Sequence, residues 1–295
     1  VVPPAGSCTV EKGGATLWIT GQVLAPTQVY AAGSVVVDGD GKITCVGCGC
    51  AGQASGATKI QCGDGIISPG LINSHDHMGW MGDRPWVAQS NSVDPALRWE
   101  HRHDWRKGKR GHPKIQTTGN ASGDEQVWGE LRFVMSGATS VNGSGSSTGL
   151  LRNLDRSDGR LGLAGNVVKY DTFPLGDTDG NLRASGCQYP DVVTASEVGT
   201  AIAYTPHVSE GIDAEAHNEF LCLTSANDGG HDVLQGNASI IHGIGLTALE
   251  VSVMASRGMH LIWSPRSNIS LYGDTAPIAL LVHMGVPIAL GTDWL

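Results

Sequence analysis

The chain of 295 residues is long enough for one large domain with a full-sized core, or for one large and one small domain. Its 19 Lys and Arg against 28 Asp and Glu give a formal net charge of −9, which argues against nucleic acid or an anionic membrane as a partner. The longest apolar stretch, 278–290, is interrupted by His283, Gly285 and Pro287, so no membrane span is predicted.

Residues 16–67 are predicted to form short strands separated by turns. The segment "DGDGK" between "SVVV" and "ITCVG" predicts a hairpin, because Asp-Gly supplies the positive φ that a tight turn needs. We therefore predict that residues 1–66 are part of a small all-β domain. Residues 67–295, in which strands and helices alternate, form the second predicted domain.

Cysteine use is unusual in this first domain. The seven cysteines of the chain are Cys8, Cys45, Cys48, Cys50, Cys62, Cys187 and Cys222. A site of four thiolates usually needs two Cys-x-x-Cys pairs, and "CVGCGC" supplies one, so we favour disulfides over reduced thiols or a metal knuckle. Cys187 and Cys222 are candidates for a further bridge. Disulfides favour an exported protein (periplasmic, extracellular or surface-associated) over a cytoplasmic one, although the N-terminus shows no signal-peptide pattern.

The clearest strand-helix alternation lies near the end of the second domain. "ASIIH" predicts a strand, followed by a helix that begins after the N-cap Thr247 and stops at Gly258. "MHLIW" predicts the next strand, followed by a helix with Thr275 as N-cap and Gly285 as its end, and "VPIALG" predicts the last strand. Such a series predicts parallel pairing.

Metal-ligating residue types follow four of the predicted strands. They are His75 and His77, then His207 with Glu210 three residues later, then His242, and finally Asp293. A single histidine at a strand end is more often a structural residue than a metal ligand. Metal-ligating residue types at four strand ends would each need a separate structural explanation, so their coincidence favours a metal site. Residues two apart on a strand share a face, so the His-x-His pair is expected to bind one divalent metal together with ligands from neighbouring strands.

The motifs "ISPGLINSHDH", "HVSEG", "IIHGIGL", "SPRSNISLYG" and "APIALLVHMGVPIALGTDW" carry a family resemblance. Across residues 16–295 the chain resembles the amidohydrolase superfamily, most closely its chlorohydrolase and aminohydrolase branch, which includes deaminases. The resemblance implies a (β/α)8 barrel with a small N-terminal β-sandwich. It also implies that His75, His77, His207 and Asp293 hold one metal ion, zinc in preference to iron, and that His242 lies beside it.

Other branches of the superfamily hold two metals bridged by a carboxylated lysine. Lys169 precedes His207 by 38 residues (207 − 169), a spacing of one repeat. The His-x-x-Glu pattern of His207 and Glu210 belongs to the mononuclear branch, so we favour an ordinary strand lysine and no second metal.

In this family the chain continues well past the last aspartate of the barrel. Here two residues follow Asp293 (295 − 293), so the fold is expected to be truncated after barrel strand 8. A barrel without its last helix would expose apolar surface, and we therefore expect a further C-terminal piece of the same protein. A homo-oligomer is another open possibility.

These residues predict a hydrolase that activates water for attack on a C–N bond of a small molecule. Asp293 is the expected base for water, Glu210 the proton shuttle, and His242 the group that stabilises developing charge. Deamination of an N-heterocycle is favoured over a peptidase-like or cyclic-amide reaction. A non-catalytic scaffold that kept the barrel is the alternative from another class.

A second His-x-His pair occurs at His101 and His103, in "RWEHRHDWRKGKRGH". It follows no apolar strand and lies among charged residues. We therefore predict a solvated loop, in the form of a lid over the barrel mouth, rather than a metal or nucleic-acid site.

Overall fold

The computed structural model describes residues 7–83, 98–116, 120–143, 150–158, 165 and 167–293. The chain divides into two units, Val1–Gly70 and Leu71–Leu295. The strands are β1 (Thr9–Glu11), β2 (Gly14–Leu24), β3 (Val29–Val37), β4 (Ile43–Gly47), β5 (Ala57–Ile67), β6 (Leu71–Asn73), β7 (Ala138–Val141), β8 (Arg152–Asn153), β9 (Lys169–Asp171), β10 (Tyr204–Val208), β11 (Ser239–His242), β12 (His260–Trp263) and β13 (Ile288–Leu290). The helices are α1 (Arg102–Lys107), α2 (Gly123–Met135), α3 (Ala195–Val198), α4 (Ala214–Thr224), α5 (Ala248–Arg257), α6 (Pro265–Tyr272) and α7 (Ile278–His283).

The first unit contains one five-stranded sheet with the order β1-β5-β2-β3-β4. Strands β2 and β5 run parallel, and the other neighbours run antiparallel. The predicted hairpin between β3 and β4 is confirmed: the Asp38 N–H donates to the Lys42 carbonyl at 2.9 Å, and Gly41 has φ of 79°. Glycine fits there because positive φ costs it no Cβ clash.

Three disulfides join Cys8 to Cys62, Cys45 to Cys50, and Cys187 to Cys222. The prediction of disulfides is thus confirmed, and Cys48 is the exposed free cysteine that the odd count required. The bridges close loops of 54, 5 and 35 residues in sequence. Each long bridge stabilises the fold chiefly by restricting the unfolded chain. Export of the chain stays a prediction.

The second unit is mixed α/β, as predicted, and its sheets are parallel throughout. One sheet has the order β13-β12-β11-β10-β9 and the other the order β6-β7-β8. Backbone hydrogen bonds join the two sheets: the Ser74 N–H donates to the Leu290 carbonyl, and the Val168 N–H to the Leu154 carbonyl, both at 2.9 Å. The carboxyl ends of all these strands therefore face one side of the unit.

Helix α5 begins and ends where the sequence predicts. The Thr247 hydroxyl accepts from the Leu249 N–H, the Glu250 carboxylate accepts from the Thr247 N–H, and Gly258 ends the helix at φ of 68°. This is a capping box, and it satisfies backbone donors that the first turn leaves unpaired.

The predicted start of helix α7 is wrong. The helix begins at Ile278, with Pro277 rather than Thr275 as its N-cap. The Thr275 hydroxyl instead accepts from the Trp263 indole N–H at 2.7 Å, so it is not free to cap the helix.

In the second unit, helices α4 and α5 pack on the five-stranded sheet β13-β12-β11-β10-β9 through apolar side chains. Phe220, Val251 and Met254 are buried with the strand residues Ile240 and Leu261 in one core cluster. Burial of a side chain of this size contributes roughly 1.5–3 kcal/mol. The core therefore holds the strands, and with them the strand ends, in fixed positions.

The predicted solvated loop around His101 and His103 is also wrong. Residues 101–105 are all buried, and His101 is the N-cap of helix α1. The charges there are matched by buried carboxylates rather than by water, which periodicity in the sequence does not reveal. Among the described residues, no helix combines the length and apolar character that a bilayer crossing requires.

Candidate metal centre and active site

The residues predicted from strand ends meet at one point. His75 Nε2 and His77 Nε2 lie 3.3 and 3.4 Å from Asp293 Oδ1, and His77 Nε2 lies 3.4 Å from His207 Nε2. Donor atoms lie within 4.8 Å of one another in two sets, His75 with His77 and His207, and His75 with His242 and Asp293. Residues up to 218 positions apart (293 − 75) therefore form one cluster.

The cluster fits a divalent cation. His75 Nε2 is buried with no hydrogen-bond partner, although it lies 3.3 Å from a carboxylate oxygen. Burial lowers the pKa of His77 to about 3, helped by the nearby His75, and it lowers the pKa of His207 well below its usual value. Neutral imidazoles present the lone pair that a metal needs. Imidazole and carboxylate ligands of this number suit zinc or iron.

Asp293 remains ionised in this buried position. Burial alone would raise its pKa, but the surrounding histidines, His75 first, hold the pKa of the carboxyl well below its usual range. Its backbone has φ of 56°, in the region that only glycine adopts without cost. Strained backbone of this kind is concentrated at functional sites.

The loop that carries Asp293 is tied to the His-x-His segment. The N–H groups of Thr292 and Asp293 both donate to the His75 carbonyl, at 2.9 and 3.0 Å. Gly291 passes so close that a Cβ there would lie 2.7 Å from the His75 Cβ. Only glycine therefore permits this approach, which sets the distance between the paired histidines and Asp293.

Hydrogen bonds orient the remaining rings. His207 Nδ1 lies 3.2 Å from the Asp171 carbonyl, to which it donates, so its Nε2 carries the lone pair. His242 Nδ1 lies 3.2 Å from Asn268 Oδ1, and the Tyr170 hydroxyl lies 3.4 Å from His77 Nδ1. Partners of this type fix the tautomer of a metal-binding histidine. Sequence reasoning missed Asn268 and Tyr170 as contributors to the site.

Asp76, between the two paired histidines, belongs to a buried network rather than to the metal cluster. Its carboxylate accepts from the Thr292 hydroxyl and lies 3.4 Å from Asn73 Nδ2. Burial raises the pKa of Asp76 to about 8, and the charge of Asp293 acts in the same direction. The network joins the ends of β6 and β13, and it was not predicted.

Glu210 is held beside His242. Its Oε1 accepts from the Tyr272 hydroxyl at 2.7 Å, and its Oε2 lies 3.5 Å from His242 Nε2. The Trp105 indole N–H donates to the same Tyr272 hydroxyl at 2.8 Å. Burial raises the pKa of Tyr272 well above its usual value, so the phenol keeps its proton and continues to donate to Glu210. No pattern in the sequence distinguishes Tyr272 or Trp105 as site residues.

A cavity of about 250 Å³ opens onto this cluster. It is lined by His77, Trp80, Arg102, Trp105, Arg106, Thr172, Phe173, His207, Glu210 and Asp293. The Trp80 ring stacks on His77 with 5.3 Å between centroids. A cavity of about 660 Å³ contains none of the predicted ligands, and one of about 320 Å³ contains Asp293 alone among them. The cavity of about 250 Å³, which His77, His207 and Asp293 line together, is therefore the candidate substrate site.

Lys169 lies among the residues that line the cavity of about 660 Å³. It is the first residue of β9 and pairs in register with Tyr204, three positions before His207 in β10. The next residue of β9, Tyr170, is the one that reaches the histidines.

Relatives with known names match over most of the chain. No family model matches it. It is 26% identical to 5-methylthioadenosine/S-adenosylhomocysteine deaminase of Natronomonas pharaonis over 94% of this chain and 68% of that protein. It is 24% identical to 5'-deoxyadenosine deaminase of Methanothermobacter thermautotrophicus over 94% of this chain and 69% of that protein. These relatives are deaminases, and they support the resemblance of the chain to the deaminase-like branch of the amidohydrolase superfamily.

Solved structures agree on the fold. The guanine deaminase of C. acetobutylicum matches 94% of this chain and 74% of its own chain, with a TM-score of 0.54 and 17% identity. The zinc complex of atrazine chlorohydrolase from Arthrobacter aurescens matches 94% and 72%, with a TM-score of 0.54 and 16% identity. Because the sequence relatives are deaminases, the chain is a metal-dependent hydrolase that acts on a C–N bond.

Proposed function

We propose that this amidohydrolase deaminates an amino-substituted N-heterocycle, with a purine nucleoside as the first candidate. The observation that carries the proposal is the convergence of His75, His77, His207 and Asp293 in one cluster, beside a cavity that Glu210 also lines. The names of the relatives, deaminases of 5-methylthioadenosine and 5'-deoxyadenosine, support the adenosine type of substrate.

The residues of the cluster suit one zinc ion, held by His75, His77, His207 and Asp293. When bound, such a cation supplies Lewis acidity that makes water a nucleophile near neutral pH. The solved chlorohydrolase of the same fold contains zinc, which supports zinc over iron. The single carboxylate and three imidazoles at the centre support one ion rather than two.

The proposed reaction adds water to the ring carbon that bears the amino group. The ionised Asp293 accepts the proton of the attacking water as the C–O bond forms. Glu210, oriented by Tyr272, passes the other proton of the water to the ring nitrogen, and Asp293 gives the proton that it accepted to the amino group. His242, 3.5 Å from Glu210, stabilises the charge that develops at the attacked carbon. The C–N bond then breaks, and ammonia leaves.

The walls of the cavity fit a flat ring. Trp80, Trp105 and Phe173 line it, and the Trp80 ring already stacks on an imidazole. Aromatic side chains bind planar ligands by offset or edge contacts and exclude water around the reacting carbon.

We further propose that β6 to β13 form the eight strands of a (β/α)8 barrel. The hydrogen bonds from Ser74 to Leu290 and from Val168 to Leu154, which join the two parallel sheets, support closure. The sheet of the first unit is proposed as part of a small β-sandwich.

The test is Glu210→Gln, assayed by ammonia release from 5-methylthioadenosine with zinc content measured on the same sample. Loss of the proton shuttle is expected to lower kcat about 100-fold while one zinc per chain is retained. Glu11→Gln, the same change on the exposed strand β1, serves as the control and should behave as the parent. A fully active Glu210→Gln protein contradicts the assigned role. A parent protein that binds no stoichiometric metal contradicts the enzyme and favours a scaffold.

A further inference from the structure

Glu219 is a buried carboxylate of helix α4 that lies outside the set of residues lining the substrate cavity. Its Oε1 lies 3.2 Å from His101 Nε2 and 3.4 Å from Arg102 Nη2. Its Oε2 accepts from the Ser209 N–H at 2.8 Å. Burial alone would raise the pKa of Glu219, but Arg102 and His101 lower it, so the group is ionised. A charged acceptor, which forms stronger hydrogen bonds than a neutral one, therefore holds the residue that precedes Glu210.

Ser209 has a backbone conformation that serine rarely adopts. It follows β10 directly and has φ of 56°, in the left-handed region. Its carbonyl accepts from the N–H groups of Ile244 and Gly245, at 2.9 and 3.2 Å, and its N–H donates to Glu219. A conformation of this kind persists only where the surrounding groups hold it. The turn at Ser209 is therefore held from two sides, by the segment after β11 and by the carboxylate of α4.

The same carboxylate acts on the backbone of Glu210 through the start of helix α1. The Arg102 N–H donates to the Glu210 carbonyl at 3.0 Å, and His101 pairs with Gly211 in an isolated antiparallel bridge. Glu219 contacts the side chains of both His101 and Arg102, so it fixes these two residues against the turn. The backbone on both sides of Glu210 is thus tied to one carboxylate.

We propose that Glu219 is a positioning residue for the proton shuttle, because it holds the turn that places Glu210 against the substrate. The inference rests on the proposed function for the role of Glu210. Proton transfer needs roughly 2.6–3.2 Å between the heavy atoms, so a small displacement of the turn slows this step. Tyr272 orients the Glu210 carboxylate, whereas Glu219 fixes the backbone from which that side chain extends.

Two variants of Glu219 separate the hydrogen bond from the charge. Glu219→Met has a similar length and no strong acceptor, whereas Glu219→Gln keeps an oxygen for the Ser209 N–H. Both remove the negative charge beside Arg102, so both should lower Tm. For ammonia release from 5-methylthioadenosine by the zinc-loaded protein, we expect kcat to fall about 10- to 100-fold in Glu219→Met, with KM nearly unchanged. In Glu219→Gln kcat should stay within about threefold of the parent. An equal loss in the two variants, or no loss in either, overturns the proposal.

Glu130→Met is the matched control. Glu130 is likewise a buried glutamate of a helix, and its carboxylate accepts from the Leu151 N–H at 3.2 Å. Its other hydrogen bond in the described part of the chain is to Asn153, in β8, far in sequence from the turn at Ser209. We expect Glu130→Met to lower Tm and to leave kcat within about twofold of the parent. If kcat falls as much as in Glu219→Met, general destabilisation explains the loss and the proposal is wrong.

The double variant Glu219→Met/Glu210→Gln distinguishes a positioning role from a purely structural one. If Glu219 acts through Glu210, its removal costs nothing more once the shuttle carboxylate is absent. The double variant should therefore have the kcat of Glu210→Gln within about twofold. A further 10-fold fall would show that Glu219 acts on the reaction by another route, which contradicts the proposal.

Amide hydrogen exchange separates this proposal from the proposed function, because it needs no substrate. In the zinc-loaded protein the Ser209 N–H should exchange about 10-fold or more faster in Glu219→Met than in the parent, and not faster in Glu130→Met. If no nucleoside is deaminated but this exchange depends on Glu219, the proposed function is wrong and the hold of Glu219 on the turn stands. If nucleosides are deaminated and exchange is unchanged in Glu219→Met, the role of Glu219 is wrong.

The parent and Glu219→Gln decide the matter if Glu219→Met shows no cooperative melting transition. Slow exchange of the Ser209 N–H in both proteins, with kcat of Glu219→Gln near that of the parent, supports the proposal. Exchange of the Ser209 N–H in the parent at the rate of an exposed turn amide overturns it, and so does a 10-fold loss of kcat in Glu219→Gln.

Discussion

Two His-x-His pairs in one chain have opposite chemical environments. His75 and His77 follow a parallel strand and face two other histidines and a carboxylate, with His75 Nε2 left without a hydrogen bond. His101 and His103 begin a helix, and each donates to a buried carboxylate: His101 to Glu219 at 3.2 Å and His103 to Asp177 at 2.6 Å. The first pair is open to a cation, and the second pair is already satisfied by the protein.

The difference shows that spacing alone does not define a metal ligand. The ring centroids lie 4.9 Å apart in both pairs, so the distance between the rings does not separate them. The pairs differ in their partners, because each ring of the second pair lies beside a buried carboxylate of its own. The guanidinium groups of Arg102 and Arg106 also lie beside His103, and their positive charges disfavour the binding of a cation by the second pair.

Removing one ring from each pair tests directly whether the first pair binds zinc and the second does not. His77→Ala is expected to lose bound zinc and to lower kcat about 1,000-fold or more, since the metal is what makes water a nucleophile. His103→Ala should keep one zinc per chain, because it has no atom in the cluster. Zinc content by elemental analysis decides the matter, and equal zinc loss in both variants would show that the second pair also binds metal.

Removal of the buried charge of Asp177, the carboxylate beside His103, is expected to have a large effect on stability. Asp177→Asn leaves the buried Arg102 without its nearest counter-charge, so we expect the free energy of unfolding to fall by about 3–5 kcal/mol. Urea unfolding of the metal-free protein at pH 7 measures it.

Asp158→Asn provides the control for this change. It breaks the exposed ion pair with Arg156, and we expect it to have little effect. Similar unfolding curves for Asp177→Asn and the parent would mean that the Arg102 network does not hold helix α1.

The smallest predicted effect is a pH dependence from His103. Burial lowers the pKa of His103 to about 4, while the unfolded chain takes up the same proton near pH 6.5. A histidine with a lowered pKa stabilises the fold above pH 6.5, and this contribution is lost as the pH falls towards 4, up to about 3 kcal/mol. Unfolding free energies of the metal-free protein at pH 7, 6 and 5 should fall less steeply in His103→Gln. Identical slopes would show that His103 takes up its proton at the same pH in the folded and the unfolded chain.

The parts of the molecule that follow local rules could be predicted from the sequence. The β3–β4 hairpin and helix α5 have their own turn and capping residues, and these act over four or five positions. The metal cluster could be predicted because the parallel pairing of β10 and β11 brings the ends of successive strands together, with Val208 beside His242.

Features that depend on distant partners could not be predicted. Thr275 fails to cap α7 because the Trp263 indole already donates to its hydroxyl. The charged segment at residues 101–105 is buried because Asp177 and Glu219, more than 70 positions away in the sequence, match its charges. The hydrogen bond from Tyr272 to Glu210 joins residues 62 positions apart, and it depends on the position of α6 in the folded chain. No local pattern in the sequence contains this information.

The hydrogen bonds from Thr292 and Asp293 to the His75 carbonyl have a consequence for the newly made chain. His77 leaves the ribosome 216 residues before Asp293 (293 − 77), which at ordinary synthesis speeds is a delay of roughly 10–40 s. During that interval the early imidazoles have no carboxylate companion, and any ion they capture is loosely held. The proposed set of four ligands therefore exists only after β13 has been synthesised and has paired beside the His75 segment.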